Sequence, residues 1–169
     1  SVIAEGKIIG WFQGRMESGQ RALGNRSILA DPRDPDMKNK INKLIKHREW
    51  YRPFAPSIID KCQGDFFEST FPSPFMQMVY PIKKDVQELI PAVTHEDGTG
   101  RLQTVQKNSN PRFWTLIDEF RKLSGIGLVL NTSFNDNDEP IVCTPKHAIR
   151  TFFSTGLHEL YIGNYRVWK

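Results

Sequence analysis

Short apolar segments alternate with helical patterns along this sequence, and the alternation limits the folds that the chain can adopt. Segments rich in β-branched and aromatic residues indicate strands, whereas apolar residues repeated at helical spacing indicate helices. The predicted strands and extended segments are residues 7–13, 26–30, 53–59, 75–82, 127–130, 160–162 and 165–168. The predicted helices are residues 34–47, 110–125 and 144–153. Interleaved strands and helices are typical of α/β proteins, so we expect a single α/β domain with a mixed sheet.

The apolar positions of the three predicted helices indicate which side of each helix faces the core. These positions are Met37, Ile41, Leu44, Ile45, Phe113, Leu116, Ile117, Phe120, Leu123, Ala148, Ile149, Phe152 and Phe153. Residues 92–95 and 102–105 flank the turn signal Asp97-Gly98, which predicts either a hairpin or a loop between strands.

Composition narrows the class of protein and the chemistry of its partners. With 169 residues, 38% of them hydrophobic, the chain can form one soluble globular domain with a sizeable core, and no apolar run approaches the length of a membrane span. The net charge of +4 gives a mild preference for anionic partners without requiring a polynucleotide. The two cysteines favour reduced, buried thiols and hence a cytoplasmic protein. The four histidines are scattered, so no metal site is predicted.

Residues 1–7 have the pattern of the last turns of a helix that stops at Gly6. A helix that begins at the first residue suggests that the chain is the C-terminal part of a longer polypeptide. The alternative is that these residues are a remnant of an expression vector.

Residues 14–33, GRMESGQRALGNRSILADPR, concentrate cations and turn-forming residues. Arg15, Arg21, Arg26 and Arg33 are interleaved with glycines in this segment. Guanidinium groups match the oxygens of phosphates and carboxylates, and glycine lets the backbone approach a ligand closely. The pattern fits an anion-binding loop, and it fits equally well a solvated loop whose arginines pair with nearby acids.

Further polar candidates lie on predicted loops or at the ends of predicted elements. Lys46 lies beside a segment in which Arg48 and Arg52 stand among aromatic residues that could stack on a base or fill a core. Arg101 follows the Asp97-Gly98 turn. Asn131, Thr132 and Ser133 follow a buried strand, where α/β folds place ligand contacts, although they could equally cap a turn. The sequence contains no Walker-type or GxGxxG motif and no obvious Ser-His-Asp constellation. The residues by themselves therefore indicate an anion-binding α/β domain.

Several long blocks of this sequence resemble the C-terminal domain of the carbamoyltransferase family, which includes nodulation-type and antibiotic-tailoring enzymes. The blocks are GRMESGQRALGNRSILADPR, REWYRPFAPS, SPFM, IPAVTHEDGTGRLQTV and LNTSFNDNDEPIV, in the order of the family. One departure is Gln20, where proline is frequent in the family. The resemblance implies a YrdC-like fold, a twisted mixed β-sheet flanked by helices, over residues 1–169. It also implies binding of ATP, with Mg²⁺, and of carbamoyl phosphate, and formation of carbamoyl adenylate.

The resemblance also assigns residues to this chemistry. Arg52 and Arg101 would neutralise phosphate oxygens, and Lys46 would stabilise charge on the triphosphate. Asn131 and Ser133 would orient the carbamoyl group or a nearby phosphate. The full set of implied contacts is Arg21, Lys46, Arg52, Arg101, Asn131 and Ser133, with Arg26 as a further candidate in the glycine-rich loop.

Family members also carry a larger N-terminal domain with metal ligands, where the carbamoyl group passes to a hydroxyl acceptor. That domain is not contained in these 169 residues, so the resemblance implies that this chain performs the adenylation half of the reaction. Two other functions are considered: a YrdC-like module that binds RNA, which the mild net charge disfavours, and a catalytically silent interaction domain, which the presence of arginine at all the motif positions disfavours.

Overall fold

A computed structural model describes residues 2–169, and within them strands and helices alternate along the chain. The strands are β1 (Ile9–Phe12), β2 (Arg26–Ala30), β3 (Ala55–Ile59), β4 (Val79–Pro81), β5 (Thr99–Arg101), β6 (Gln103–Val105), β7 (Leu128–Ser133), β8 (Glu159–Ile162) and β9 (Tyr165–Trp168). The α-helices are α1 (Met37–Ile41), α2 (Gln63–Phe66), α3 (Pro111–Ser124) and α4 (Pro145–Ser154). A π-helical turn covers Asn42–Lys46, and 3-10 turns cover Asp60–Cys62, Lys84–Leu89 and Pro91–Val93.

Seven of these strands form one sheet in the order β6-β3-β7-β2-β1-β8-β9. The pairs β1–β8 and β3–β6 are parallel, and the other four neighbouring pairs are antiparallel. Strands β4 and β5 form a separate antiparallel pair. The prediction of an α/β domain with a mixed sheet flanked by helices is therefore confirmed.

Strand β7 lies in the middle of the sheet, between β2 and β3. Its first three residues, Leu128, Val129 and Leu130, are fully buried, as expected of a strand covered on both faces. The next residue, Asn131, pairs with Leu29 of β2 and with Ala55 of β3. The C-terminal half of β7 thus carries polar side chains from the buried core to the end of this central strand, which is where the candidate site lies.

Helix α3 forms as its end signals predict. The Asn110 side chain accepts a hydrogen bond from the Phe113 N–H at 3.2 Å, Pro111 occupies the first turn, and Gly125 ends the helix at a φ of 79°. Helix α4 begins in the same way, because Thr144 Oγ1 accepts from the His147 N–H at 3.3 Å.

The predicted inner faces of these helices are too wide. Phe113, Ile117, Phe120, Ala148 and Phe152 are fully buried, as expected. Leu116 is only partly buried at the rim of the core. Leu123, Ile149 and Phe153 are exposed, with 61%, 42% and 59% of their surface accessible. A helix resting on a sheet buries only a narrow stripe, so residues at its border stay in contact with solvent.

The predicted helix over residues 34–47 is replaced by the short α1 and the π turn that follows it. Hydrogen bonds in a π turn reach one residue further than in an α-helix, so the turn shifts which side chains face inward. Ile45 and Lys46 are buried, whereas Leu44, predicted to face the core, is 43% exposed. His47 closes the turn in a left-handed conformation with a φ of 44°.

Two further sequence predictions are wrong in detail. Residues 75–82 contain only the short strand β4, because Met76 adopts a left-handed φ of 54° that interrupts an extended chain. Residues 92–95 do not pair with 102–105: β5 pairs with β4, and β6 joins the main sheet beside β3. The predicted helix end at residues 1–7 appears over residues 2–6 as a turn with Gly6 at a φ of 79°, and Ser1 lies outside the described residues.

Both cysteines are free thiols; Cys62 is buried, but Cys143 is exposed, contrary to prediction. Among residues 2–169, no helix combines the length and the hydropathy needed to cross a bilayer.

Candidate anion-binding site

A cavity of about 280 Å³ opens where β7 and β3 meet the loop between β1 and β2. It is lined by Gln20, Arg21, Ala22, Arg48, Arg52, Pro53, Phe54, Ala55, Met76, Arg101, Asn131, Thr132 and Ser133. Five of the predicted site residues are in this list: Arg21, Arg52, Arg101, Asn131 and Ser133. They are separated by up to 112 positions in the sequence, and the sheet brings them together.

Four arginines line this cavity, and no carboxylate does. Arg52 lies 3.7 Å from Glu49, but Glu49 is outside the lining and both side chains are about half exposed. Arg21, Arg48 and Arg101 form no ion pair within residues 2–169. Like charges that converge without counterions repel one another, and a ligand with several negative charges would relieve this repulsion.

Arg101 is partly buried at the inner side of this arginine cluster. Its Nε atom is buried and has no hydrogen-bond partner within the described chain. Burial lowers the pKa of Arg101, and the neighbouring Arg21 adds repulsion in the same direction. A buried donor without a partner is costly, and an anion in the cavity could supply the missing acceptor.

Asn131 joins the cavity to the polar interior of the sheet. Its Nδ2 lies 3.1 Å from the Ala22 carbonyl oxygen, 2.8 Å from Ser57 Oγ and 3.1 Å from Gln103 Oε1. These contacts hold the amide in one orientation and leave Asn131 Oδ1 as a buried acceptor without a partner in residues 2–169. The atom could accept an N–H from a bound molecule.

Lys46 does not line the cavity, in contrast to its predicted contact with a triphosphate. It is 3% exposed and lies behind the end of β7. Its Nζ donates to the Ser133 carbonyl oxygen at 2.6 Å and lies 3.2 Å from Ser133 Oγ, 3.0 Å from the Asn135 carbonyl oxygen and 2.7 Å from Asn135 Oδ1. Lys46 thus supports the wall that carries Ser133.

Two opposing effects act on the charge of Lys46. Burial lowers its pKa from 10.5 to about 7, and repulsion by Arg48 acts in the same direction. The carbonyl oxygens of Ser133 and Asn135 and Asn135 Oδ1 can only accept hydrogen bonds, so three N–H donors are needed. An ammonium group has three, whereas a neutral amine has two. The hydrogen-bond arrangement therefore favours the charged form of Lys46.

Arg26 is likewise directed away from the cavity. It is 4% exposed, and its Nη atoms donate to the carbonyl oxygens of Gln13 at 2.8 Å, Asn25 at 3.1 Å and Gly14 at 3.1 Å. Its guanidinium carbon is 3.4 Å from the centre of the Phe12 ring. Arg26 belongs to β2, and the side chain crosses to β1 and to the start of the loop.

The loop between β1 and β2 is organised by its single glutamate. Glu17 Oε1 accepts hydrogen bonds from the backbone N–H groups of Leu23 at 2.7 Å, Asn25 at 2.8 Å and Arg26 at 3.3 Å. The carboxylate is therefore engaged with the backbone. Arg33 pairs instead with Asp31 at 2.6 Å, so neither acid offsets the charge of Arg21.

Comparison with known proteins places the chain in a family. A family model described as "Carbamoyltransferase C-terminus" matches residues 1–169. The chain belongs to this family. It is 51% identical to nodulation protein NolNO of Sinorhizobium fredii over 99% of the chain, and 48% identical to nodulation protein NolO of Bradyrhizobium diazoefficiens over 99%. It is also 35% identical to the 3'-hydroxymethylcephem-O-carbamoyltransferase of Amycolatopsis lactamdurans over 96% of the chain.

These relatives are much longer than the 169-residue chain. The chain spans 25% of the Sinorhizobium protein and 31% of each of the other two. The chain therefore corresponds to only part of each of these polypeptides.

The sequence pattern places Arg48 among aromatic residues beside Arg52, but Arg48 is not among the predicted ligand contacts. The residue lies between two predicted contacts, Lys46 and Arg52, in a segment already known to be rich in cations and aromatic residues. Its position in the cavity depends on the left-handed turn at His47, which no local pattern predicts. Thr132, one of the polar residues predicted at the end of the buried strand, also lines the cavity. Gln20 lines it as well, and only its proximity to Arg21 could have indicated this.

A second cavity of about 410 Å³ adjoins the first. The two share Gln20, Arg21, Met76 and Arg101, and the second is lined in addition by Ser18, Gly19, Leu23, Phe75 and Gln77. No carboxylate lines either cavity, and the described chain contains no cluster of three or more His, Cys, Asp or Glu that could hold a metal ion. The two cavities thus form a continuous cationic surface with Arg21 and Arg101 at its centre.

Proposed function

We propose that this chain binds ATP and carbamoyl phosphate in the two adjoining cavities and that carbamoyl adenylate forms there. The observation that carries the proposal is the convergence of four arginines without a carboxylate in the 280 Å³ cavity. The complete polypeptide would then transfer the carbamoyl group to the hydroxyl of a small molecule. The name of the Amycolatopsis relative, an O-carbamoyltransferase, supports this type of acceptor.

The reaction places large negative charge on its products. Carbamoyl phosphate, ATP and water give carbamoyl adenylate, phosphate and pyrophosphate, and both leaving groups are multiply charged. Fixed cations that face these groups stabilise the charge that develops during phosphoryl or nucleotidyl transfer. In this proposal Arg52, Arg101 and Arg21 meet phosphate oxygens.

The polar residues of β7 would hold the uncharged end of the substrate. Asn131 Oδ1 is a buried acceptor without a partner in the described residues, which suits the amide hydrogens of a carbamoyl group. Ser133 lies beside it, on the wall that Lys46 supports from behind. Lys46 would therefore act on the substrate through Ser133 rather than by direct contact.

Both cavities would be needed to hold the two substrates. The shared residues Arg21 and Arg101 would lie where the triphosphate passes from one cavity to the other. Mg²⁺ that accompanies ATP would be held by phosphate oxygens, since the cavity lining contributes no carboxylate and Mg²⁺ is commonly bound through substrate phosphates.

The test measures binding and catalysis on the same protein. Calorimetry with ATP and with carbamoyl phosphate should give saturable binding, and pyrophosphate release should require both. Arg52→Ala and Arg101→Ala should each weaken the affinity for ATP or carbamoyl phosphate by about 1.5–3 kcal/mol, the range for a hydrogen bond to a charged group. The matched control is Arg15→Ala, which removes an exposed arginine of the loop between β1 and β2 that lines neither cavity. Unchanged affinity in both Arg52→Ala and Arg101→Ala would refute the assignment of these arginines to the ligand. If the unaltered protein neither binds ATP or carbamoyl phosphate nor releases pyrophosphate, the chain is a catalytically silent domain.

One observation favours RNA binding as a second candidate. Trp50 and Tyr51 are 66% and 60% exposed and stand next to Arg52, an arrangement that can stack on unpaired bases. An RNA affinity that falls steeply as the salt concentration rises would favour this candidate over the adenylation site, provided that ATP does not bind at any salt concentration.

A further inference from the structure

Arg48 is a cavity residue whose guanidinium is already fixed in place. Its Nε donates a hydrogen bond to Asn42 Oδ1 at 2.8 Å, and its guanidinium carbon lies 4.9 Å from the centre of the Phe54 ring. The two Nη atoms make no hydrogen bond and no ion pair to other residues of the described chain. Arg48 therefore keeps the outer edge of its guanidinium available while the inner edge is held.

Asn42 is the residue that holds this geometry. It is 1% exposed, and its Nδ2 lies 3.3 Å from the carbonyl oxygens of both Trp50 and Arg52. Its own carbonyl oxygen accepts the Arg48 backbone N–H at 3.2 Å. One buried amide thus fixes the chain before and after Arg48 and the side chain of Arg48 itself.

The surroundings of Arg48 differ from those of Arg52. Arg52 has Glu49 at 3.7 Å, whereas Arg48 has no carboxylate partner in residues 2–169. Burial and the neighbouring Arg52 lower the pKa of Arg48 to about 10, so the group is still charged at neutral pH. Holding an uncompensated guanidinium in a half-buried position costs free energy that an anionic ligand would recover.

We propose that Arg48, positioned by Asn42, is a phosphate-binding residue of the cavity and presents both Nη groups to the oxygens of one phosphate group. The identity of the natural ligand rests on the proposed function. The geometry of the Arg48 guanidinium, by contrast, suits any phosphate or diphosphate. A fork of two parallel N–H donors is the geometry in which arginine binds phosphate most strongly.

The decisive variants are Arg48→Met, Arg48→Lys and a matched control, Lys43→Met. Lys43 is exposed on the same π turn, and its removal changes the net charge by the same amount. The probes are inorganic pyrophosphate and ATP, titrated into the full chain by calorimetry. We expect Arg48→Met to weaken pyrophosphate binding about 10- to 30-fold, Arg48→Lys to restore part of that loss, and Lys43→Met to change affinity less than about threefold.

Asn42→Asp tests the positioning residue separately. The new carboxylate would pair with Arg48 and reduce the charge presented to the ligand, so we expect affinity to fall about 3- to 10-fold. If Asn42→Asp does not fold, the Arg48 variants alone test the proposal. Arg48 lies at the cavity surface, and cooperative unfolding of its variants would show that they are folded.

The outcomes separate this inference from the proposed function. Tight binding in the unaltered protein with equal binding in Arg48→Met overturns the role of Arg48 and leaves the proposed function standing. Loss of pyrophosphate binding in Arg48→Met, in a protein that releases no pyrophosphate from ATP and carbamoyl phosphate, supports Arg48 and overturns the proposed reaction. Equal losses of pyrophosphate affinity in Arg48→Met and Lys43→Met would mean that only the net charge matters, which would overturn the inference. The inference would also be overturned if the unaltered protein bound neither pyrophosphate nor ATP.

Discussion

Internal acceptors divide the arginines of the glycine-rich loop and its surroundings into two kinds. Arg26 reaches three backbone carbonyl oxygens and Arg33 reaches Asp31, so their guanidinium groups are engaged inside the fold. Arg21, Arg48 and Arg101 have no such acidic partner within residues 2–169 and face the cavity. At the scale of single residues, the Nη groups distinguish the two kinds: those of Arg26 and Arg33 have internal acceptors, whereas Arg48 is held only through its Nε and keeps its Nη groups available to a ligand.

Arg26→Met tests this division. The substitution removes the donor from the buried carbonyl oxygen of Gln13, and it also removes a partly buried hydrogen bond to the carbonyl oxygen of Gly14. We therefore expect the free energy of unfolding to fall by about 2–4 kcal/mol. Urea denaturation would measure it, with Arg15→Met as the exposed control expected within about 0.5 kcal/mol of the unaltered chain. If Arg26→Met is as stable as the unaltered protein but no longer binds ATP, Arg26 contacts the ligand and this division is wrong.

Sequence reasoning could find the cations of the site but could not assign their directions. Arg21, Arg52 and Arg101 were predicted as contacts and line the cavity, whereas Lys46 was predicted as a contact and lies behind it. Direction depends on the π turn that buries Lys46 against Ser133 and Asn135. Those partners are separated from Lys46 by 87 and 89 positions, so no local pattern could reveal them.

At the scale of elements, the loop between β1 and β2 is seated on helix α3. The Trp11 indole N–H donates to the Gly24 carbonyl oxygen at 2.9 Å, and Gly24 lies directly against the fully buried Phe113 ring. Gly24 also has a φ of 101°, a conformation that other residues rarely adopt. The loop that carries Arg21 therefore takes its position from a helix ninety residues further along the chain.

Gly24→Ala should disrupt this seating. An added Cβ would be 2.1 Å from Phe113 Cδ1, and neither the buried ring nor the backbone has room to move. We expect the free energy of unfolding to fall by about 2–4 kcal/mol and ATP binding to weaken with it, measured by urea denaturation and calorimetry. Gly19→Ala is the control: its φ of 118° is also unusual, but its Cβ would meet nothing within 4 Å, so a loss of about 1–2 kcal/mol is expected. Equal losses in the two variants would mean that backbone strain, and not contact with α3, positions the loop.

Elements with strong local signals were predictable, and those fixed by tertiary contacts were not. Helix α3 has an Asn-Pro start and a Gly stop, and the structure follows them. The helix predicted over residues 34–47 has a good apolar pattern, yet its second half becomes a π turn whose end, at His47 and Arg48, is tied to Asn42. Patterning describes which side chains are apolar, but it does not describe hydrogen bonds between a side chain and a distant backbone.

At the scale of the whole molecule, one buried carboxylate joins the first strand to the last two. Glu159 of β8 is 2% exposed; it accepts hydrogen bonds from Lys7 at 3.0 Å, from the Tyr161 hydroxyl at 2.7 Å and from Arg166 of β9 at 2.8 Å. Lys7 comes just before β1, which pairs in parallel with β8. The cluster therefore links chain segments that are more than 150 positions apart, at the edge of the sheet away from the arginine cavity.

This cluster predicts how stability depends on pH. The hydrogen bonds from Arg166, with those from Tyr161 and Lys7, lower the pKa of Glu159 from 4.5 to about 2. Because the folded state binds this proton less readily than the unfolded chain, the stabilisation is fully present above pH 4.5 and is lost as the pH falls towards 2. Allowing for the exposed side of Arg166, we expect a contribution of about 1–3 kcal/mol at pH 6.

Urea denaturation of Glu159→Gln at a series of pH values tests the prediction. The variant keeps the size of the side chain but cannot ionise, so its free energy of unfolding should lie about 1–3 kcal/mol below that of the unaltered chain at pH 6. The difference should shrink steadily between pH 4.5 and pH 2.5, as Glu159 of the unaltered protein gains its proton. The control is Glu119→Gln, which removes an exposed carboxylate paired with Lys122 and should change stability by less than about 0.5 kcal/mol throughout. A difference for Glu159→Gln that stays constant from pH 6 to pH 2.5 would mean that shape and hydrogen bonding, and not the charge of Glu159, hold the two ends of the chain together.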